Sequence, residues 1–140
     1  MKTYYHYTNR EGYEGILATG VIRPSLRVRG ATYGDAVLGE GIYLTSITPE
    51  EIAAARSDEY AMNDIIYELF NITETEAKLA YFFELNLPAE ALIDFVDVYA
   101  KELGKNPQDL TSDEIRRVYL YTTDSGIEIG TSRHGTTLNM

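Results

Sequence analysis

Residues 33–45 read YGDAVLGEGIYLT: glycines at 34, 39 and 41 in a loop, then a short strand at 42–45. Glycine adopts backbone angles that other residues resist and lets another group lie close to the main chain. The exposed end of such a strand suits an aromatic residue that faces a ligand, and Tyr43 is that residue. Its expected partner is His6, in an earlier strand-like run, Thr3-Tyr4-Tyr5-His6-Tyr7. Taken alone, G-x-G-x-Y is equally the mark of a glycine turn feeding a core strand.

The 140 residues predict one domain with a hydrophobic core, and the apolar fraction of 44% is that of an ordinary globular chain. With no cysteine, disulfides and thiolate metal sites are excluded, which fits a reducing compartment. No apolar run approaches the roughly 18 residues of a membrane helix. The segment MKTYYHYTNRE lacks the apolar centre of a signal peptide; a cytoplasmic site of action is expected, with the released end of a larger exported protein as the alternative. The net charge of −10 repels phosphate backbones and so disfavours general nucleic-acid binding. Two histidines make no typical zinc site, and the carboxylates lack calcium-loop spacing, so no metal is expected. Twelve tyrosines and no tryptophan leave some phenol rings for a stacking surface.

Working outward, residues 3–7 predict a strand, and Thr8 with Glu11 has capping-box form ahead of a short helix that Gly20 stops. Residues 25–41 form a long loop whose Arg27 and Arg29 either meet a phosphate or keep the loop solvated. Thr48-Pro49-Glu50-Glu51 is a second capping box opening a helix through about residue 56, and Ser57-Asp58-Glu59 starts another. Residues 79–87, LAYFFELNL, make the strongest strand, expected centrally with both faces covered; Glu84 and Asn86 inside it are read as paired within the fold or pointing to the wetter face. Residues 94–103 predict a helix closed by Gly104. Thr111 to Glu114 is a third capping box, opening a helix through Ile115 and Arg117, and residues 118–122 either extend it or become a strand. After the turn Asp124-Ser125-Gly126, residues 127–129 alternate as a strand, with residues 136–140 expected beside it. The order of elements lacks a βαβ rhythm and favours α+β.

Three pieces stand in a meaningful order: His6-Tyr7-Thr8, then Gly39-Glu40-Gly41-Ile42-Tyr43-Leu44-Thr45 before a helix, then the strand centred on Tyr81-Phe82-Phe83-Glu84-Leu85. This arrangement resembles the ADP-ribosyltransferase superfamily, on the branch shared by diphtheria-type toxins and poly-ADP-ribose polymerases. It is most similar to a small toxin-associated class with a His-Tyr-Asp-type signature. The resemblance covers residues 4–56 well and 79–93 loosely. It implies a split, strongly bent sheet with peripheral helices that grips NAD. By this resemblance His6 would bond the adenosine ribose, with Tyr7, Thr8 and Thr45 lining the cofactor cleft and Thr8 or nearby backbone holding the nicotinamide end. Tyr43 would stack on the nicotinamide, and Gly41 would let the chain approach it. A neutral imidazole both donates and accepts, which suits ribose hydroxyls, and a phenol ring offers a flat face to an aromatic cation.

The chemistry so implied breaks the nicotinamide–ribose bond through a sugar with oxocarbenium character, which a carboxylate stabilises. The resemblance places this acid on a late strand, where Glu128 is the first choice and Asp124 the second. Only Asn139 stands nearer the C-terminus for the Asp of the signature, and Asn there would impair the enzyme. Read without the resemblance, His6 is a satisfied sheet histidine, Tyr43 core packing and Glu128 a solvent-facing strand residue. The implied partners are NAD, a macromolecular target, a protein in the first instance, and a cognate inhibitor. Hydrolysis of NAD by water and a non-catalytic NAD-, ADP-ribose- or protein-binding module are the competing functions. A further one is an acidic chain that masks a basic partner.

Overall fold

The aromatic run at the N-terminus forms β1 (Lys2–Thr8), an inner strand of a six-stranded sheet in the computed structural model, which describes residues 1–24, 41–70, 76–112, 114–138 and 140. The other strands of that sheet are β3 (Ile42–Thr45), β4 (Tyr81–Leu87), β5 (Leu92–Asp94), β6 (Val118–Tyr121) and β8 (His134–Thr136). Their order is β5-β6-β3-β1-β4-β8, and every described pairing is antiparallel. A separate ribbon pairs β2 (Val21–Ile22) with β7 (Ile127–Glu128). Among the described residues four α-helices, α1 (Arg10–Thr19), α2 (Pro49–Ala55), α3 (Glu59–Phe70) and α4 (Phe95–Leu103), complete an α+β architecture. No described helix is long and apolar enough to cross a membrane.

Alternation along β1 divides the core. Tyr4 packs with Ile22, Ile42, Leu44, Phe83, Leu85 and Ile129 on the face covered by α1 and the β2–β7 ribbon. Tyr7 joins the opposite face, where Ile47, Ile52, Ala55, Met62, Ile66 and Leu79 are buried under α2 and α3. In β4, Phe82 and Phe83 are successive and both fully buried, so this strand is covered on both sides as its composition predicts. It lies one place in from the edge, between β1 and β8.

Local signals hold where nothing competes with them. Thr48 and Glu51 close a capping box around the first turn of α2, and Gly20 ends α1 in the left-handed conformation at φ 74°. Asp58 Oδ1 accepts the Tyr60 and Ala61 N–H groups at the start of α3. Glu84 accepts from Tyr5 and Arg133, and Asn86 from Thr3, so both polar residues of β4 are paired within the fold.

Three expectations are corrected. The cap of α1 is Asn9, whose Oδ1 accepts the Gly12 N–H, because Thr8 stays in the β1–β4 ladder opposite Tyr81. Glu114 does reach back to the Thr111 N–H, yet no described helix follows: the Arg117 N–H goes to Glu68 Oε1, and residues 118–121 are strand. The C-terminal strand β8 pairs with β4, and β7 pairs with β2, so the two do not meet. Arg27, Arg29, Gly34, Gly39, Glu40 and Asn139 lie outside the described residues.

Candidate functional site

Strands β1 and β3 lie side by side, joined by one bridge, Tyr5 opposite Thr45, whereas the β1–β4 ladder runs the whole length of both strands. One residue past that bridge the His6 imidazole takes over, with Nδ1 3.1 Å from the Tyr43 carbonyl oxygen. A carbonyl can only accept, so Nδ1 carries the proton. The neutral ring then has Nε2 as a lone-pair acceptor. This amends the expectation that the ring offers a ligand both a donor and an acceptor: the donor is used on Tyr43. Burial pushes the His6 pKa below its ordinary value of 6.5, partly offset by the bond to Tyr43. That keeps the ring neutral and the tautomer fixed.

The imidazole meets the main chain of Tyr43. The described β1–β3 pairing is the single bridge between Tyr5 and Thr45, so the His6 ring makes the next described contact between the two strands. Tyr7 donates its hydroxyl to the Ile47 carbonyl at 2.6 Å, and burial raises its pKa so that it stays a phenol. Thr8 is half-buried at the end of β1. Thr45 is buried, with its hydroxyl accepting the Ile47 N–H at 3.1 Å.

Gly41 stands at φ +154°, and a Cβ there would come within 2.7 Å of the Tyr121 carbonyl oxygen and 2.6 Å of Leu120 Cδ1. The close approach this glycine permits in the described structure is therefore to β6. Gly41→Ala is expected to cost about 2 kcal/mol in chemical unfolding, from the strained backbone and the overpacked strand pair. A loss of a few tenths would mean that β6 yields.

Glu128 is exposed on β7, opposite Val21, and its neighbours Ile127 and Ile129 pack inward. Among the described residues no hydrogen bond or ion pair engages its carboxylate. Asp124 is exposed in the bend before β7. The sheet that carries His6 and Tyr43 holds two carboxylates of its own, Glu84 in β4 and Asp94 in β5. Glu84 is engaged by Tyr5 and Arg133. Asp94 is half-buried opposite Tyr119, and Tyr119 lies opposite Leu44, so one row of side chains runs from Asp94 to Leu44. At about 4.8 Å per strand the row from Asp94 to Leu44 is about 10 Å long. Burial raises the Asp94 pKa, against the bond it accepts from the Val96 N–H. Sequence reading placed Asp94 at the start of a helix; a three-residue strand before its own cap leaves too little alternation to detect. Among the described residues no group of three His, Asp or Glu could hold a metal ion.

The imidazole also sets a pH dependence. Its folded pKa lies below the unfolded value of 6.5, so the unfolded chain binds the proton more readily. Stability is then greatest above about pH 6.5 and falls as pH drops through and below it. Glu50 and Glu51 are shifted downwards too, but their contribution is lost only below the ordinary carboxylate value of 4.5. Unfolding followed between pH 7.5 and 5.5 should show the slope, and His6→Asn should remove it.

An α+β fold whose antiparallel sheet sets a His-Tyr-Thr strand beside a Gly-Ile-Tyr-Leu-Thr strand is consistent with the ADP-ribosyltransferase class. A family model described as "HYD1 signature containing ADP-ribosyltransferase" matches residues 4–114. The chain belongs to this toxin-associated family, Tox-ART-HYD1. The matched span holds His6, Tyr7, Thr8, Gly41, Tyr43 and Thr45, and also Glu84 and Asp94; it ends before Asp124, Glu128 and Asn139. No curated protein and no solved structure matches the chain significantly.

Proposed function

We propose that the chain cleaves NAD between nicotinamide and ribose and transfers ADP-ribose to a macromolecular target, a protein side chain in the first instance. The observation that supports this reading is the bond between His6 Nδ1 and the Tyr43 carbonyl, which ties the two motif strands together. In this reading Nε2 of His6 accepts a ribose hydroxyl proton, and the Tyr43 ring stacks on the nicotinamide. Thr8, half-buried at the end of β1, lines the cleft, while Tyr7 and Thr45 support it from within the fold through their bonds to Ile47. The glycosidic C–N bond breaks with its electron pair leaving on nicotinamide, which departs neutral. The acceptor attacks the sugar carbon and gives up a proton. Glu128, with Asp124 behind it, is the carboxylate proposed to stabilise the developing positive charge. The acidic surface makes a protein acceptor, and a protein inhibitor that covers the cleft, better partners than nucleic acid.

The test is to incubate the protein with NAD, with and without candidate protein targets, and to follow nicotinamide release and product masses. Nicotinamide release with a mass gain on a target is the expected result. Release with free ADP-ribose alone would replace transfer by hydrolysis. Calorimetric binding of NAD with no release would make the chain a binding module. That second reading draws support from the position of Glu128 and Asp124 outside the matched span.

A further inference from the structure

Glu50 and Glu51, successive residues in the first turn of α2, are caught by arginines from opposite sides of the sheet. Arg117, just before β6, donates from Nη1 to Glu51 Oε1 at 3.2 Å and from Nε to Glu68 Oε1 of α3 at 3.1 Å. Its main-chain N–H reaches the same Glu68 oxygen at 2.9 Å. Arg133, just before β8, donates from Nη2 to Glu50 Oε1 at 2.7 Å and from Nη1 to Glu84 Oε1 of β4 at 3.1 Å. Its guanidinium also lies over the Phe82 ring, 5.0 Å from the centroid. The other oxygen of Glu51 accepts the Thr48 N–H, so the clamp is continuous with the helix cap. Strands β6 and β8 bracket β3, β1 and β4 in the sheet order. The turn between β3 and α2 is therefore tied down from both flanks of the strands that carry Tyr43 and His6.

We propose that Arg117 and Arg133 are positioning residues that hold the first turn of α2, and through residues 46–48 the end of β3, against the sheet. The inference rests on the NAD-cleaving reading for its effect on turnover, and on the described contacts alone for its effect on motion. An isolated exposed ion pair contributes little. Here each planar fork spans two elements, and losing it frees a segment rather than a single contact. A lysine keeps the charge but cannot reach two carboxylates in different directions. Misplacing a ring that orients the reacting end of a substrate slows turnover more than it weakens binding of the whole molecule.

The experiment uses the intact chain and the variants Arg117→Gln, Arg117→Lys and Arg133→Gln, with Lys105→Gln, which removes the remote pair to Glu114, as control. Hydrogen exchange of the amides at 47–55 should quicken by about tenfold in Arg117→Gln and Arg133→Gln, while β4 amides stay protected. NAD turnover should fall by about tenfold or more, with the calorimetric Kd within about threefold of wild type. Arg117→Lys should behave like Arg117→Gln. Unchanged exchange at 47–55 would overturn the clamp, as would faster exchange with full turnover, or full recovery by lysine. If the wild-type chain neither binds nor turns over NAD, the proposed function fails, and the exchange data still decide whether the arginines clamp α2.

Discussion

His6→Ala weakens NAD binding by about a hundredfold, the effect of losing an acceptor for a ribose hydroxyl together with the bond that holds the Tyr43 carbonyl. The two ring nitrogens can be tested apart. Asparagine places an N–H near the position of Nδ1 and nothing at Nε2. His6→Asn should therefore keep most of the folding stability, because the Tyr43 carbonyl retains a donor, while losing NAD nearly as completely as alanine does. Calorimetric binding and chemical unfolding on the same samples check both halves. Full NAD affinity in His6→Asn would show that Nε2 touches no ligand, and would return His6 to a purely structural part in joining β1 to β3.

The second large effect concerns the carboxylate. Glu128→Gln is expected to leave NAD bound and to lower turnover by about a hundredfold or more, the usual cost of removing a charge that stabilises a transition state. Glu128 is exposed, so its neutral isostere should unfold at the wild-type midpoint, and a loss of turnover would be read as chemistry. If turnover persists, Asp124→Asn and Asp94→Asn complete the series. Asp94 has two structural reasons to be included: it lies on the same sheet as His6 and Tyr43, and it falls within the span matched to the family. Its side chain also caps α4 through the Val96 N–H, so Asp94→Asn, which retains a capping oxygen, is preferred to alanine.

Much of the fold is legible residue by residue. The Thr48–Glu51 box, the closing glycines at 20 and 104 and the apolar density of β4 depend on neighbours within a few positions, and each is found where it is expected. The errors share one cause. Thr8 could have capped α1, but a cross-strand partner held it in β1. Glu114 formed half of a capping box, but Glu68, distant in the chain, took the next free N–H and let β6 form. The final strand had an alternating neighbour in β7, yet found β4. In each case a partner far along the sequence outbid a local preference worth about 1 kcal/mol.

The site divides in the same way. Sequence alone placed His6 and Tyr43 in two strands of one motif, because each strand is a short run whose residue types are their own signal. Tertiary structure decided how the two residues meet: ring nitrogen to carbonyl, next to the single bridge between Tyr5 and Thr45. It also set the single available nitrogen of His6, the fit of Gly41 against β6, and the outward setting of Glu128 on a ribbon apart from the main sheet. Strand register, tautomer and the direction of a side chain follow from which strands pair. Pairing is settled by burial and hydrogen bonding summed over the whole sheet, a quantity that no local stretch of sequence contains.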